Sequence, residues 1–169
     1  MKAPLRPKPS TNDNSPKPST DTPMKKRNII ITAPDYARLS DLIALGNLSD
    51  RERGEAHALE AELERARIVA SETVPPDVIT LNSRAVLLDL DANERMEFTI
   101  VLPHEADILE NKISVLAPVG TGMLGYREGD GFEQRTPLGA RRLKVLRVHF
   151  QPEAAQKSAK QEVQEPALA

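Results

Sequence analysis

The clearest chemical pattern in the sequence is formed by three glycines, Gly120, Gly122 and Gly125, whose spacing matches the G-x-G-x-x-G of phosphate-binding loops. A dinucleotide site of this kind needs a strand before the glycines and a full helix after them. The apolar stretch ISVLA at 113–117 predicts the strand, but the GDG at 129–131 predicts a turn before a full helix can form. We therefore interpret the glycines as positions of close packing or positive φ, after a strand that runs into a short helical turn. Nucleotide binding at this loop is kept as an alternative.

The histidines and serines show no catalytic or metal-binding pattern. His57, His104 and His149 are far apart, and none lies three or four residues from another histidine or from a cysteine. No serine has the G-x-S-x-G surroundings of a nucleophile elbow. The sequence therefore predicts no catalytic residue, no bound metal and no cofactor.

Two acids, Asp50 and Glu52, lie where a helix is predicted to begin. Carboxylates at the tip of a protruding element could hold a cation in the site of a partner. However, the helix macrodipole favours acids in the first turn of any helix, and Ser49-x-x-Glu52 matches a capping box. We favour the second interpretation, in which these acids stabilise the start of the helix.

Charge divides the chain into a basic tail and an acidic body. Residues 1–27 carry seven Lys/Arg and two Asp among many Pro, Ser and Thr, so they are predicted to form a disordered basic tail of net charge +5. The whole chain has a formal net charge of −2, which leaves −7 for residues 28–169. The tail could contact nucleic acid or an acidic surface, although we favour a solubilising extension. The acidic body disfavours a broad duplex-binding face.

The sequence contains no cysteine and no apolar run of membrane-spanning length. The lack of cysteine excludes disulfides and thiolate metal sites and fits a reducing compartment. We therefore expect a cytoplasmic protein without a membrane partner.

Residues 28–73 are predicted to form a short strand and a two-helix arm. The β-branched run at 28–32 predicts the strand, Thr32 and Pro34 begin a helix, and Gly46 ends it. A second helix begins at Ser49, and a connection of about four residues makes the two helices antiparallel. Residues 33–71 should thus form a short helical hairpin, and its polar outer faces favour protrusion as a coiled-coil arm. The apolar face of the first helix is Tyr36, Leu39, Leu42 and Ile43, and the heptad seam of the second is Ala56, Leu59, Leu63, Ala66 and Ala70.

Residues 74–152 are predicted to form a strand-rich domain after the proline break at 73–78. The first strand is VITL at 78–81, and ISVLA at 113–117 is expected to be central because it is almost wholly apolar. The segments 131–136 and 141–150 should pair as a hairpin around Pro137-Leu138-Gly139, with a bulge or two-sided burial between Val145 and Leu146. The other strands alternate through Val86, Leu88 and Leu90, and through Met96, Phe98, Ile100 and Leu102. Residues 153–169 read as a polar tail, so the predicted class is α+β with disordered tails.

These elements, in this order, resemble the bacterial transcript-cleavage factors of the Gre family, which combine a two-helix arm with an FKBP-like antiparallel β-domain. The segment ISVLAPVGTGMLGYREGDGFEQRTPLG is similar to their C-terminal signature. A group of shorter-armed relatives, the regulators of nucleoside diphosphate kinase, is more similar still. The segments that carry this second resemblance are HALEAELERA, PPDVITLNSR, APVGTGMLG and VLRVHFQPEAA, and it covers about residues 28–155.

The resemblance implies RNA polymerase as the partner. It places the stretch after ISVLA near the surface that docks on the polymerase, so the candidate contacts are Pro118, Val119, Met123 and Leu124. Gre factors usually carry a polar or acidic residue and a serine before this proline, whereas Leu116-Ala117 stands here, as in the shorter-armed group.

The arm tip departs from the Gre pattern. Gre factors carry two tip acids, in a sequence close to Gly-Asp-Leu-x-Glu, that help to bind a second Mg²⁺ for RNA cleavage. This chain has Gly46-Asn47-Leu48-Ser49-Asp50, so Asp50 matches the second acid and Asn47 replaces the first. With one acid lost and a short arm, the tip set of Asn47, Ser49, Asp50 and Glu52 predicts polymerase binding without transcript cleavage.

The resulting expectation is a non-enzymatic transcription regulator that binds core RNA polymerase near its secondary channel and competes with Gre-type factors. Any effect on nucleoside diphosphate kinase would then be indirect, and nucleic acid would be contacted only indirectly or by the basic tail. The alternative is an enzyme or small-molecule binder, either prolyl-isomerase-like or nucleotide-binding at the glycine loop. A prolyl isomerase needs an aromatic-lined pocket, and this β-domain contains four aromatic residues.

Overall fold

The computed structural model describes residues 28–136 and 138–164. The predicted tail at 1–27, the last five residues and Pro137 of the predicted turn lie outside this part. Within it the fold is α+β, with four α-helices, a two-stranded sheet and a five-stranded sheet. The fold class agrees with the sequence, while the FKBP-like character of the β-domain stays a prediction.

The chain begins with β1 (Ile30–Thr32), which runs directly into α1 (Ala33–Leu45). The Thr32 hydroxyl accepts a hydrogen bond from the Asp35 N–H over 3.3 Å, and Pro34 occupies the first turn, where its missing donor costs nothing. At the other end, the Gly46 N–H donates to the Leu42 carbonyl over 2.9 Å. The helix boundaries predicted from the capping residues are therefore confirmed.

The second helix, α2 (Asp50–Glu64), ends earlier than the seam predicted. Residues Arg67–Val69 form β2, which pairs in parallel with β1 from Ile30↔Arg67 to Thr32↔Val69. The prediction of helix to residue 71 was wrong because Ile68 and Val69 are β-branched and the backbone of β1 offers them hydrogen-bond partners.

The five-stranded sheet has the order β5-β4-β3-β7-β6. Neighbours are antiparallel except β4 and β5, which run in parallel. The β6–β7 hairpin is confirmed, and so is the bulge: Val86 pairs with Arg147 and Leu87 with Val145, so Leu146 is the extra residue. The strands are β3 (Arg84–Asp89), β4 (Glu94–Val101), β5 (Lys112–Ser114), β6 (Gly131–Thr136) and β7 (Gly139–Phe150).

Three strand predictions need correction. VITL is fully buried but forms only an isolated bridge, Val78↔Arg127, rather than a strand. ISVLA supplies only the last two residues of β5, which lies at the edge of the sheet and not at its centre. Its apolar residues Val115 and Leu116 are buried after the strand has ended. In β3 the buried face is Ala85, Leu87 and Asp89, opposite to the predicted apolar set.

The arm does not protrude freely. Leu39 of α1 and Leu59 and Leu63 of α2 are at most 5% exposed, and they belong to the same hydrophobic cluster as Leu87 and Ile100 of the sheet. The predicted protrusion therefore gives way to a pair of helices that packs on the β-domain. A helix pair with a seam of mostly alanine buries little apolar surface between its own two helices. Packing on the β-domain buries more, and this stabilises the arm in its packed position.

The segment predicted as a polar tail contains α4 (Pro152–Gln164). Just before it, the buried Gln151 side chain donates to the Pro75 and Val78 carbonyls over 2.7 and 2.8 Å. Glu153 accepts a hydrogen bond from Thr80 Oγ1 over 2.7 Å. These contacts fix the start of α4 on residues 75–80. In the part of the chain that the structure describes, no helix is long and apolar enough to cross a membrane.

Candidate functional site

The glycine loop is a packing junction. β5 runs into α3 (Pro118–Met123), a helix of six residues, and Thr121 Oγ1 donates back to the Val115 carbonyl over 2.7 Å. A Cβ on Gly120 would lie 2.1 Å from the Ser114 carbonyl oxygen, so only glycine permits this return of the backbone. The full helix that a dinucleotide site requires is not formed by these residues.

The last glycine of the motif joins the arm to the β-domain. Gly125 has φ +77°, and a Cβ there would lie 2.6 Å from Ile29 Cβ. Its carbonyl accepts from the Ile30 N–H over 3.1 Å, and its N–H donates to the Ile79 carbonyl over 2.8 Å. The geometry therefore supports the packing interpretation of G-x-G-x-x-G. The close approach of Gly125 to Ile29 and Ile30 also positions β1 against the β-domain.

A groove of about 380 Å³ separates the start of α2 from the segment before α3. We call it the tip groove. It brings Pro118, a predicted partner contact, to the same surface as Ser49 and Glu52 of the predicted arm tip, although about 66 residues of sequence separate them. The lining residues are Ser49, Arg51, Glu52, Glu55, Ser114, Leu116, Ala117 and Pro118.

The rim of the tip groove on α2 is held by a complete capping box. The Glu52 carboxylate accepts from the Ser49 N–H over 2.9 Å and from the Ser49 hydroxyl over 2.6 Å, and the Glu52 N–H donates to the Ser49 hydroxyl over 3.4 Å. These hydrogen bonds hold the pKa of Glu52 below its usual range. Glu52 therefore stabilises the start of α2. Among the described residues, no group of three His, Asp or Glu side chains is arranged to hold a metal.

The predicted polymerase contacts divide into two pairs. Pro118 and Val119 are half-buried and accessible, whereas Met123 and Leu124 are 0% and 1% exposed and belong to the core. Met123 and Leu124 are therefore not accessible to a partner in this structure, and direct contact by these two residues stays a prediction. The spacing of glycines did not reveal which face of the short helix is buried.

At the tip, Asn47, Ser49 and Asp50 are exposed, and the groove also contains five residues that the sequence analysis did not single out as contacts. Arg51 and Glu55 lie one turn apart on α2, a spacing that could have placed them on the face of Ser49 and Glu52. Ser114, Leu116 and Ala117 come from the end of β5 and the residues after it, and no local pattern connects them with α2. Their grouping is a product of the tertiary fold.

The histidines occupy separate places. His57 Nδ1 lies 3.6 Å from Glu60 Oε2 on the exposed side of α2, and His149 Nδ1 lies 3.7 Å from Glu97 Oε2 on the sheet. His104 is exposed in a short helical turn after β4. Such a dispersed set agrees with the sequence, which shows no histidine cluster.

Two family models match the chain: "Transcription elongation factor, GreA/GreB, C-term" over residues 74–150, and "Rnk N-terminus" over residues 27–69. The chain is 43% identical over 101 residues to the regulator of nucleoside diphosphate kinase of Escherichia coli K12, a match that covers 59% of this chain and 74% of that protein. It is 32% identical over 124 residues to transcription elongation factor GreA of Clostridium kluyveri, which covers 73% and 78% of the two chains.

Among solved structures, the chain is similar to a prokaryotic transcription elongation factor GreA/GreB from Nitrosomonas europaea. The TM-score is 0.60 at 35% sequence identity, and the match covers 74% of this chain and all of that chain.

Proposed function

Because the chain belongs to the GreA/GreB family, within the group of regulators of nucleoside diphosphate kinase, we propose that it regulates transcription by binding core RNA polymerase near the secondary channel. The observation that carries this proposal is the tip groove, which joins Pro118 and the arm tip in one accessible surface. A partner that fits this groove meets the β-domain and the arm at the same time, so both family regions contribute to one interface.

Occupation of the channel entrance would compete with longer-armed Gre-type factors. The chain does not support transcript cleavage in this proposal, for two reasons. Asn47 replaces one of the two acids that the resemblance calls for, and α1 has only 13 residues. At a rise of about 1.5 Å per residue, such a helix spans about 20 Å. An effect on nucleoside diphosphate kinase would follow indirectly, through transcription.

The test is binding of the fluorescently labelled chain to purified core RNA polymerase, with and without a long-armed Gre competitor. We expect saturable binding that the competitor displaces. Pro118→Asp should weaken binding about tenfold or more, because it places an unpaired charge inside the docked surface, while an acid at the first position of a helix is tolerated in the free protein.

Pro103→Asp is the matched control, because Pro103 begins another helical turn that lies outside the tip groove. It should bind like the parent chain. Absence of binding at micromolar concentration, or equal weakening by both variants, would reject the tip groove as the polymerase-binding surface.

A further inference from the structure

The face of the five-stranded sheet opposite to the core carries a concentration of positive charge. On β3 the outward side chains are Arg84, Val86 and Leu88, since Ala85, Leu87 and Asp89 are buried on the other side. Their cross-strand partners extend this face onto β4 and β7 in three rows, which are about 7 Å apart along the strands. The rows are Arg95–Leu88–Lys144, Glu97–Val86–Arg147 and Thr99–Arg84–Phe150. We call these nine residues the outer sheet face.

Three of its cations are not neutralised. Arg95, Lys144 and Arg147 are exposed, and no ion pair is formed by any of them with another described residue. The one acid among these nine residues is Glu97. Its Oε1 forms an ion pair with Arg84 Nε at 3.2 Å, and its Oε2 lies 3.7 Å from His149 Nδ1. The outer sheet face thus has four Arg/Lys against one Glu, on a body whose net charge is −7.

The face also has apolar surface at its centre. A groove of about 590 Å³ is lined by Val86 and the bulge residue Leu146, between Arg95 and Arg147. At the end of the third row, Phe150 is 44% exposed, directly opposite Arg84 in the register. An exposed aromatic ring with an arginine opposite it is an arrangement on which an unpaired base can stack.

From this combination we infer that the outer sheet face binds single-stranded nucleic acid, with phosphates on Arg95, Lys144 and Arg147 and a base on Phe150. Charge complementarity selects a polyanion, and the exposed ring with an apolar floor favours one with bases over an acidic protein. Duplex is disfavoured because the cations occupy about three strands, a patch too narrow to follow a double-stranded backbone. This face is separate from the tip groove and does not rest on polymerase binding.

The experiment is fluorescence anisotropy of a labelled oligouridylate of about 15 nucleotides with the full chain. Arg95→Glu combined with Arg147→Glu should weaken binding about tenfold or more, and should reduce the slope of log K against log salt by about 1.4. The matched control is Arg67→Glu with Lys160→Glu, which makes the same change in net charge at exposed positions of β2 and α4. The basic segment 1–27 is present in every variant, so a difference between the face variant and the control variant reports the substituted positions.

Stacking is tested separately. Phe150→Ala should weaken binding to oligouridylate about fivefold or more, and leave binding to an abasic oligomer of the same length unchanged. Phe150→Leu, which keeps an apolar side chain at the strand end, should behave like the alanine variant if stacking is the cause. A melting curve for each variant checks that it is folded.

The proposal fails if the parent chain does not bind oligouridylate at micromolar concentration, or if the control variant loses as much affinity as the face variant. It also fails if polyglutamate binds more tightly than oligouridylate and the same two substitutions abolish that binding. The last outcome would assign the outer sheet face to an acidic protein.

Discussion

The carboxylate of Asp35, in α1, accepts a hydrogen bond from the backbone N–H of Leu81 over 3.1 Å. The two residues are 46 positions apart, and the bond ties the arm to the buried segment VITL at 78–81. Asp35 is 4% exposed, which is rare for a carboxylate. Its pKa is raised from the ordinary value of 3.8 to about 6. The main cause is burial, with a smaller contribution from the charge of Glu153, against the lowering effects of the Leu81 N–H, Arg38 and Thr32.

Asp35 should make the protein less stable as the pH rises. Because the pKa is higher in the folded state, the folded protein binds the proton more tightly, so this contribution is fully present below about pH 4 and is lost as the pH passes about 6. Asp35→Asn keeps an acceptor for the Leu81 N–H without the charge. We expect it to raise the free energy of unfolding at pH 8 by about 1–3 kcal/mol and to give little change at pH 4.

Urea unfolding of both proteins at pH 4 and pH 8 measures this difference. The comparison is between the two proteins at each pH, so the titration of all other groups cancels. An Asp35→Asn effect that is the same at both values would show that the carboxylate is not destabilised by burial.

Gly120 and Gly54 should respond in opposite directions to alanine. A Cβ on Gly120 would lie 2.1 Å from a backbone oxygen, whereas a Cβ on Gly54, inside α2, meets nothing within 4 Å. Gly120→Ala should lower the free energy of unfolding by about 1–3 kcal/mol because the chain must move. Gly54→Ala should raise it by about 0.5–1 kcal/mol because alanine favours the helix. Thermal denaturation separates the two cases, and stabilisation by Gly120→Ala would contradict the packing interpretation.

The packing of the arm on the sheet predicts a large effect at Leu59. Its side chain is 0% exposed in the shared core, while Leu45 at the end of α1 is 82% exposed. Leu59→Ala should therefore cost about 2–5 kcal/mol in unfolding free energy, and Leu45→Ala less than about 0.5 kcal/mol. Both values come from urea denaturation. If Leu59→Ala melts the helices and leaves the β-domain unfolding unchanged, the arm and the sheet do not share one core.

Asn47→Asp should not create transcript cleavage. The substitution supplies the missing tip acid, but α1 has 13 residues and the arm packs on the β-domain. In the proposed complex the tip should therefore not reach the catalytic centre of RNA polymerase. Incubation of the variant with a stalled elongation complex and Mg²⁺ should leave the RNA length unchanged, while a long-armed Gre factor shortens it in a parallel reaction. Shortening of the RNA by Asn47→Asp would show that reach is not the limiting factor.

Features set by neighbouring residues could be predicted from the sequence alone. The caps at Thr32 and Ser49 depend on hydrogen bonds across three residues, and the alternation through Met96, Phe98 and Ile100 follows from the period of a strand. The bulge at Leu146 was visible as a change of phase in the same way. The family resemblance was likewise carried by short segments in order, and the comparisons confirm it.

Contacts between distant segments were decided by the tertiary structure. Residues Arg67–Val69 are a strand because β1 lies beside them. β5 is an edge strand although the apolar stretch ISVLA, which overlaps its end, predicted a central one. Three other features also depend on residues far apart in the chain. They are the burial of Met123 and Leu124, the proximity of Pro118 to the start of α2, and the rows of cations on the outer sheet face. These contacts are stabilised by the burial of apolar surface and are aligned by the strand register. Neither can be predicted from a local pattern of residue types.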